Sequence, residues 1–469
     1  HKDRLQPIVE LLHKHGVTIY STGGTQAFIE GLDIPVVAVE DMTSYPSIFG
    51  GRVKTLHPKI FGGILYRRDD DGDVSQAAEF EIPAVDLVIV DLYPFEETLA
   101  SGASESEIIE KIDIGGISLI RAAAKNFNDV LIVSTRDQYD DVFGILEAQD
   151  GATSREQRAE YATKAFAVSS HYDSAIHAYF AKREAPGDFV VTEGPARALR
   201  YGENPHQMAS FYGDLDSLFD QLNGKELSYN NLVDVDAAVS LIEEFDTTTF
   251  AIIKHTNACG VATGKTVGEA YQRALQADTV SAFGGILATN EVIDHEAASR
   301  MNDLFFEILI APDYTPDALE LLKGKKNRII LRQKEKLTSS KMFKSLLNGV
   351  IEQDRDLKTD ELKDLTVVTK QLPSEEDMET MIFASKVCKH TKSNTIVLAR
   401  NGQMLASGVG QTSRVDALKQ AIAKAKVFGF TLKGSVLASD AFFPFSDSVE
   451  IAHEEGITSV IQPGGSVRD

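Results

Sequence analysis

Short apolar runs alternate with helical patterns along the first third of the chain, and this alternation constrains the fold most. Four of these runs have the length and composition of buried strands, at residues 17–20, 36–39, 87–91 and 130–134. Between them, apolar residues recur at helical spacing, as over residues 3–15, which end at Gly16 as a C-cap. Strands that alternate with helices predict an α/β domain with a doubly wound parallel sheet.

The second part of the chain contains two similar α/β patterns. The first joins a strand, a helix and a Ser-Ala-Phe-Gly-Gly segment, at residues 250–253, 268–276 and 281–285. The second joins a hairpin with an Asn401-Gly402 turn, a helix and an Asp-Ala-Phe-Phe segment, at residues 395–407, 415–425 and 436–443. The similarity predicts a weak internal duplication.

A polar passage with Pro and Gly, at residues 184–188, is typical of a domain boundary. A long helix predicted over residues 155–182 leads into it. We therefore predict two domains, residues 1–187 and 188–469. A length of 469 residues is enough for a separate core in each.

Charge and composition exclude several classes of protein. A net charge of −23 argues against general nucleic-acid binding, which needs a broad basic surface. No segment has the ~20 successive apolar residues of a membrane span, and the N-terminal stretch is no signal peptide. Two cysteines give neither a disulfide framework nor a metal cluster. We expect a cytoplasmic protein that binds no nucleic acid and no membrane.

Lys254 and His255 follow the apolar run at residues 250–253, with Asn257 and Gly260 close behind. The end of a parallel strand is where α/β proteins place ligands. A lysine beside a histidine supplies a cation and a near-neutral proton carrier, which suits acid–base chemistry on an anionic substrate. The alternative is a helix N-terminus with a polar first turn.

Two loops of the first domain have features of an anion site. Ser21-Thr22-Gly23-Gly24-Thr25 lies between a strand and a helix, where backbone N–H groups can point at a phosphate. Taken alone, the loop is more typical of a plain tight turn. The loop at residues 51–58 adds Arg52, Lys54 and Thr55 with few acids, which favours a site.

A third segment follows the strand at residues 87–91. Tyr93 comes directly after that strand, and Asp113 precedes Gly115-Gly116 at a predicted helix start. Arg121 and Lys125 share one face of that helix. The alternatives are a core role for Tyr93 and an N-cap role for Asp113.

Lysines elsewhere also gather into basic clusters, of which Lys386, Lys389, His390 and Lys392 form one. A basic cleft in an acidic protein would attract small anions, although solvated lysines on helix faces explain any one such cluster better.

Two other motifs fail on spacing. Residues 260–266 resemble a P-loop, but the two glycines are one residue too close, which argues against an ATP site. His295-Glu296 and His453-Glu454 lack a second His or Cys at zinc-ligand spacing.

Nine segments distributed over essentially the whole chain resemble one family, the bifunctional purine-biosynthesis enzymes that combine AICAR (aminoimidazole carboxamide ribonucleotide) transformylase with IMP cyclohydrolase. The segments are STGGT, GRVKTLHP, DLYPF, KIDIGGISLIRAAAKN, LRYGENPHQ, KHTNACG, SAFGG, GQTSR and SDAFFPF. The resemblance implies a methylglyoxal-synthase-like N-terminal domain. It also implies a transformylase domain of two cytidine-deaminase-like units without zinc.

For the first domain, the resemblance implies a cyclohydrolase site. Residues matched to phosphate and base binding are Ser21, Thr22, Gly23, Arg52, Lys54 and Thr55, together with Lys2 from the family's first nucleotide loop. Residues matched to proton relay are Tyr93, Asp113 and Lys125. Lys54 and Asp113 would manage protons during ring closure, and the N–H groups of Gly115 and Gly116 would stabilise the oxyanion.

For the second domain, the resemblance implies formyl transfer from 10-formyltetrahydrofolate to AICAR, with no tightly bound cofactor or metal. His255 would take the proton of the attacking amine, and Lys254 would stabilise or protonate the folate leaving group. Residues matched to substrate binding are Arg200, Tyr201, Asn257, Glu307, Asn394, Arg414, Phe442 and Asp447. The family also implies a homodimer with transformylase sites completed across the interface.

Some positions depart from the family. Ala258 replaces a common Pro, and Asp91 replaces a common Asn, which we expect to be tolerated if Arg52 or Lys54 faces it. Glu307 stands at a position that is often acidic. The family's first and last strands have no match, so an inactive scaffold and a non-catalytic nucleotide sensor are the alternatives to an enzyme.

Overall fold

The structure is a computed structural model of the 469-residue chain. It describes residues 2–49, 52–181, 189, 194, 196–337 and 339–465. The chain divides into two compact units, His1–Thr192 and Glu193–Asp469. The boundary passage predicted at residues 184–188 lies outside the described residues, as does the last residue of the helix predicted over 155–182.

The first unit contains short strands in parallel pairs. The strands are β1 Tyr20–Ser21, β2 Val37–Ala38, β3 Leu87–Ile89 and β4 Leu131–Val133. β1 pairs with β2 and β3 with β4, each pair in parallel, which confirms the predicted strand direction. The expected continuous sheet is not formed. The ladders are only two or three residues long and give two separate sheets.

Helices connect the strands of each pair, as parallel neighbours require. The α-helices in the described part of this unit are α1 Gln6–Lys14, α2 Gly23–Glu30, α3 Val39–Thr43, α4 Pro58–Leu65, α5 Asp71–Glu79, α6 Phe95–Ala100, α7 Glu105–Glu110, α8 Gly115–Lys125, α9 Tyr139–Ala148 and α10 Arg155–Ala181. The core is centred on β4, whose three residues are buried with Ile120 and Ala123 of α8. This packing fixes α8, and with it the position of its first turn.

The second unit is built on one mixed sheet. Its strands are β7 Phe219–Asn223, β8 Thr249–Lys254, β9 Asn257–Thr263, β10 Gly285–Thr289, β11 Phe306–Ala311, β12 Ile329–Gln333, β15 Ile396–Arg400, β16 Gln403–Gly408, β17 Val436–Ser439 and β18 Ser459–Ile461. They are ordered β18-β17-β15-β16-β9-β8-β10-β11-β12-β7. Two antiparallel pairs lie outside this sheet, β5 Ala196–Ala198 with β6 Ser210–Tyr212 and β13 Lys341–Leu346 with β14 Gly349–Asp354.

Helices cover both faces of the large sheet. They are α11 Leu215–Leu218, α12 Tyr229–Ile242, α13 Val267–Ala277, α14 His295–Met301, α15 Pro316–Lys323, α16 Glu375–Lys389, α17 Arg414–Val427 and α18 Asp447–Glu454. Side chains of β8 alternate between two cores, with Ile253 beside Val239 of α12 and Ile252 beside Tyr271 of α13. Burial on both faces explains why β8 is apolar throughout. None of the helices in the described residues is long and apolar enough to span a bilayer.

The predicted duplication is confirmed in the topology of this sheet. The hairpin β8–β9 is followed by α13 and by β10, which returns antiparallel to β8. The hairpin β15–β16 is followed in the same way by α17 and by β17, antiparallel to β15. Each repeat then adds a helix and one parallel strand, β11 or β18.

The two repeats meet at the centre of the sheet, where β16 lies beside β9. The two strands pair through Gln403, the first residue of β16, and Ala262, near the end of β9. Both central strands also carry a glycine pressed against a helix. A Cβ on Gly260 would lie 2.0 Å from the Ala274 carbonyl oxygen, and one on Gly408 would lie 1.9 Å from that of Ala417. Only glycine permits this close approach.

Candidate active sites

Two ammonium groups and a helix N-terminus converge in the first unit. Thr22 is the extended residue before α2, which begins at Gly23. The Lys2 and Lys54 ammonium groups lie against the first two residues of this helix. A Cβ atom added to Gly24 would lie 2.7 Å from Lys2 Nζ, and a Cβ atom added to Gly23 would lie 3.6 Å from Lys54 Nζ. The buried Thr22 Oγ1 has no hydrogen-bond partner among the described residues. Two cations, free N–H groups and an unpaired hydroxyl together form a place for a phosphate.

Asp113 lies two residues before the start of α8 and is hydrogen-bonded to the backbone around it. Gly116 N donates to Asp113 Oδ1 at 2.6 Å, and Asp113 N donates to the Tyr172 hydroxyl at 2.8 Å. Burial raises the pKa of Asp113, and backbone hydrogen bonds from Gly116 and Tyr93 only partly oppose that rise. The Asp113 carboxylate therefore accepts an N–H of the first turn of α8, as the capping alternative predicted, although Ile114 is the N-cap residue. The raised pKa of Asp113 also favours a role in proton transfer.

Other candidates of the first unit lie around the same helix start. Tyr93 is 53% exposed, so the core alternative for this residue is wrong. Its ring lies 5.8 Å from Lys111 Nζ. The Thr55 hydroxyl approaches Gly115 so closely that a Cβ there would lie 3.1 Å from Oγ1. Tyr93, Thr55 and the start of α8 thus share one neighbourhood with Asp113.

Arg52 and Asp91 have partners that differ from those expected. Arg52 forms an ion pair with Glu110 of α7. Asp91 Oδ2 instead accepts hydrogen bonds from Arg136 Nε and the Tyr139 hydroxyl, each at 3.0 Å. The expectation that Arg52 or Lys54 balances Asp91 is therefore corrected. Arg136, in the short segment between β4 and α9, supplies that positive charge, because it follows β4, the neighbour of β3.

Lys125 is not brought to Asp113. It is the last residue of α8, and a rise of 1.5 Å per residue puts it about 15 Å along the axis from Gly115. With Arg121 it lines an open cleft of about 710 Å³ whose other walls are largely apolar, including Phe61 and Phe166. Its proposed place in a proton relay with Asp113 has no geometric support within this unit.

Lys254 and His255 lie at a tight hairpin turn. Lys254 ends β8, and Asn257 already begins β9, so His255 and Thr256 form a two-residue turn. Their φ angles are +52° and +63°, the left-handed geometry of a type I′ turn. The predicted end of a buried strand is confirmed, but its expected parallel direction and the alternative helix N-terminus are both wrong. β8 is antiparallel to β9 and β10, and no helix begins at His255, because β9 returns at once.

The Lys254 side chain is directed at the loop before β10. Its Nζ donates to the Phe283 carbonyl oxygen at 2.8 Å, next to Gly284, where a Cβ would lie 3.1 Å from Nζ. The Phe283 and Phe305 rings lie 5.0 Å apart and are 62% and 53% exposed. Sequence analysis noted the SAFGG segment but missed this aromatic pair, since Phe305 comes from a distant part of the chain.

Asn257 connects the two repeats. Its Nδ2 donates to the His255 carbonyl oxygen at 2.7 Å, and its Oδ1 accepts from Lys392 N at 3.1 Å. Two residues farther on, Asn394 Nδ2 donates to the Gln411 carbonyl oxygen at 2.9 Å. The amide of Asn394 is thus held beside the turn that carries His255.

Asp440 organises the same edge of the second repeat. Its Oδ1 accepts from Thr395 N at 3.2 Å and from Arg414 Nη2 at 3.3 Å. The Arg414 side chain is only 19% exposed, and its Nε has no partner in the described part of the chain. Phe442 follows two residues later and is 40% exposed, and Asp447 begins α18. Sequence analysis did not single out Asp440.

Glu307 faces the start of α12. It accepts from Asn231 Nδ2 at 3.0 Å and lies 3.9 Å from Lys225 Nζ. The charge of Glu307 raises the pKa of Asp234, which lies one turn after Asn231 on α12. The charges of Lys254 and His255 lower that same pKa. This places Glu307 near the hairpin turn.

Arg200 and Tyr201 lie in the segment that connects β5 to β6. The Arg200 guanidinium lies 5.3 Å from the centre of the Tyr201 ring. Asn230 Nδ2, in the first turn of α12, donates to the Glu203 carbonyl oxygen at 3.0 Å. That hydrogen bond attaches the segment to the helix that also carries Asn231.

Most of the cationic cluster at the end of α16 is not available to an anionic ligand. Lys389 Nζ and His390 Nε2 both contact Glu244 Oε1, at 2.7 and 2.8 Å, and Lys386 Nζ donates to the Glu244 carbonyl oxygen. Burial alone would raise the pKa of Glu244, but hydrogen bonds from His390, Lys389 and Thr359 outweigh it and lower the pKa to about 2. These cations stabilise the fold.

The substitution Glu244→Gln should lower the free energy of unfolding of the second unit at pH 7 by up to about 3 kcal/mol. This is the free energy that corresponds to lowering the pKa of Glu244 from 4.5 to about 2. A carboxylate with a lowered pKa stabilises above its unfolded value near 4.5, and that stability is lost as pH falls toward 2. The variant should therefore lose less stability than the unmodified chain between pH 5 and 3. Urea unfolding across this range measures it, with the exposed Glu320→Gln as control; identical pH slopes would contradict the prediction.

No group of three or more His, Cys, Asp or Glu side chains is arranged to hold a metal ion within residues 2–49, 52–181, 196–337 and 339–465. The candidate sites contain ammonium groups, an imidazole, carboxylates and helix N–H groups. The fold and the sites together define an α/β protein of two compact units, each of which groups a lysine with a side chain that can exchange protons.

Comparisons with known proteins agree with that description. Residues 123–424 match the family model of the AICARFT/IMPCHase bienzyme, and residues 4–118 match that of the MGS-like domain. A bifunctional purine biosynthesis protein PurH from Bacteroides thetaiotaomicron is 61% identical over 469 residues, which is 100% of this chain and 92% of that protein. The chain therefore belongs to the AICARFT/IMPCHase bienzyme family.

Relatives of lower sequence identity are also PurH proteins. The PurH protein of Chlorobium phaeobacteroides is 48% identical, with 97% of this chain and 90% of that protein covered. The PurH protein of Aquifex aeolicus is 46% identical, with 100% and 94% covered. The similarity thus extends over both units.

Proposed function

We propose that the chain catalyses both reactions in its family's name. The first transfers a formyl group from 10-formyltetrahydrofolate to the amino group of AICAR. The second closes formyl-AICAR to IMP with loss of water. The observation that carries this proposal is that each unit has its own cation and proton carrier, Lys254 with His255 in one and Lys54 with Asp113 in the other.

In formyl transfer, the AICAR amino nitrogen attacks the formyl carbon, and the bond from that carbon to folate N10 breaks. His255 takes the proton from the attacking nitrogen, because its imidazole is exposed at the turn and can accept a proton there. Lys254, half-buried and directed at the Phe283 carbonyl, gives a proton to N10. The exposed Phe283 and Phe305 rings offer an apolar wall for a planar heterocycle.

The remaining assignments of the second unit follow the geometry of its crevice. Asn394 orients the formyl oxygen, since its amide is held beside Asn257 and the turn. Arg414, placed by Asp440 at the start of α17, contacts the phosphate. Further substrate contacts are assigned to Arg200, Tyr201, Asn257, Glu307, Phe442 and Asp447.

In ring closure, the carboxamide nitrogen of formyl-AICAR attacks the formamido carbonyl carbon, and water then leaves. Asp113 carries protons, helped by its raised pKa. Gly116 N–H already donates to Asp113, so Gly115 N–H is the donor assigned to the oxyanion. The phosphate binds at the start of α2, between Lys2 and Lys54, with Ser21, Thr22 and Gly23. Arg52 and Thr55 contact the nucleotide, with Tyr93 beside Asp113.

Purified chain supplied with AICAR and 10-formyltetrahydrofolate should form IMP, followed by purine absorbance and chromatography. A nucleotide-sensing protein would bind AICAR or IMP without turnover. An inactive scaffold would do neither. Absence of IMP at saturating substrates would reject the enzyme assignment and leave these two alternatives.

We also propose that the domains are residues 1–187 and 188–469, and that the two repeats of the second are cytidine-deaminase-like units without zinc. No tightly bound cofactor or catalytic metal is assigned. Both cysteines are free and buried, which suits a cytoplasmic enzyme. A homodimer with shared transformylase sites is proposed from the family resemblance; light scattering that shows a fully active monomer would contradict it.

A further inference from the structure

The two equivalent hairpins of the second unit use the same turn geometry with very different residues. Asn401 and Gly402 join β15 to β16 with φ angles of +51° and +64°. His255 and Thr256 join β8 to β9 with φ angles of +52° and +63°. Asn-Gly is the pair that a type I′ turn favours. A β-branched threonine is strained in the left-handed region, so the His-Thr turn needs support from its surroundings.

That support comes from α12. Thr256 N donates to Asp234 Oδ1 at 2.7 Å. A reciprocal cap between Ser228 and Asn231 fixes the first turn of α12. Val235, which follows Asp234, is buried in the core. The carboxylate is therefore attached to a rigid part of the unit, although the turn itself is exposed.

Asp234 is also electrostatically close to the pair. Burial raises its pKa, while the hydrogen bond from Thr256 and the charges of His255 and Lys254 oppose that rise. The like charge of Glu307, on β11, also raises the pKa of Asp234. Asp234 is thus a partly buried carboxylate bonded to the turn that carries Lys254 and His255, and the sequence motifs gave no sign of it.

We propose that Asp234 is a positioning residue for formyl transfer: its carboxylate accepts the Thr256 N–H, holds the strained turn in one conformation and so fixes where Lys254 and His255 meet the substrate. The inference rests on the proposed formyl transfer at this turn. It assigns Asp234 no contact with the reacting atoms.

Three variants of the full chain test the proposal, each assayed for kcat and KM of formyl transfer. Asp234→Ala should lower kcat about 100-fold, the scale expected when catalytic groups are misplaced by about 1 Å. Its KM for AICAR should stay within about threefold, because binding groups elsewhere are untouched. Asp234→Asn should keep kcat within about fivefold, since a carboxamide oxygen still accepts the Thr256 N–H. Asp234→Ala combined with Thr256→Gly should recover part of kcat, because glycine adopts the turn without strain.

The matched control is Asp236→Ala, which removes a carboxylate of the same helix that pairs with Arg355 instead. It should leave kcat unchanged. Unchanged kcat in Asp234→Ala would overturn the proposal, and so would an Asp234→Asn variant as slow as Asp234→Ala, because charge and not the hydrogen bond would then matter. His255→Ala, measured in parallel, separates the two claims: full activity in that variant would reject formyl transfer at this turn itself.

Discussion

Substituting His255 with alanine should lower formyl transfer by about 10³-fold, within the 10²–10⁴ that a general base contributes. The reason is that the AICAR amine is a weak nucleophile, and it must lose its proton as it attacks. Lys254→Ala should have a comparable effect, since folate N10 would leave without a proton. Ring closure of supplied formyl-AICAR should stay within about twofold of the unmodified chain, because its groups lie in the other unit. Stopped assays for each half-reaction measure both rates.

His295→Ala is the matched control, because His295 is an exposed histidine of the same unit at the start of α14, paired with Asp317. Its formyl transfer should be normal. A folded His255→Ala protein that loses both reactions would show that the division between the two units is wrong.

Lys54→Ala should have the opposite effect. The ammonium of Lys54 lies beside Gly23 at the start of α2, where it can both neutralise the phosphate and help move protons. Its loss should slow ring closure by about 10²-fold or more, while formyl transfer continues. Formyl-AICAR should therefore accumulate when AICAR and 10-formyltetrahydrofolate are supplied, and chromatography of the reaction mixture detects it.

The exposed Lys14 of α1 provides the control for removing a lysine from the same unit. Lys14→Ala should release IMP at the normal rate with no build-up of intermediate. Were Lys54→Ala to stop formyl transfer as well, Lys54 would not be specific to ring closure.

Much of the fold follows from patterns in the sequence. Buried strands such as β17 and helices such as α13 have unambiguous periodicity and were predicted within a residue or so at each end. The direction of β8 could not be predicted, because an apolar run buried on both faces looks the same in parallel and antiparallel sheets. The His255-Thr256 turn was missed for a related reason: neither residue is typical of a type I′ turn, so nothing local indicated a hairpin.

The sites were predictable where one loop carries several functional side chains, as with Ser21 to Gly24 or Lys254 and His255. They were not predictable where the partner comes from a distant segment. Asp234 and Phe305 are single residues outside any motif. Asp440 lies within the SDAFFPF segment, but nothing in that segment marks it as the partner of Arg414, and only the fold brings the two together. The sequence also does not show which acidic side chain pairs with the lysines of a basic cluster. Glu244 is such a case, because it contacts both Lys389 and His390.

The most direct test of the central claim mixes two inactivated proteins. Lys54→Ala retains only formyl transfer and His255→Ala retains only ring closure, so neither alone should produce IMP at more than a small fraction of the normal rate. Mixed in equal amounts with AICAR and 10-formyltetrahydrofolate, they should form IMP, because formyl-AICAR released by the first is closed by the second. A mixture that makes no more IMP than its separate components, although both proteins are folded, would contradict two independent sites.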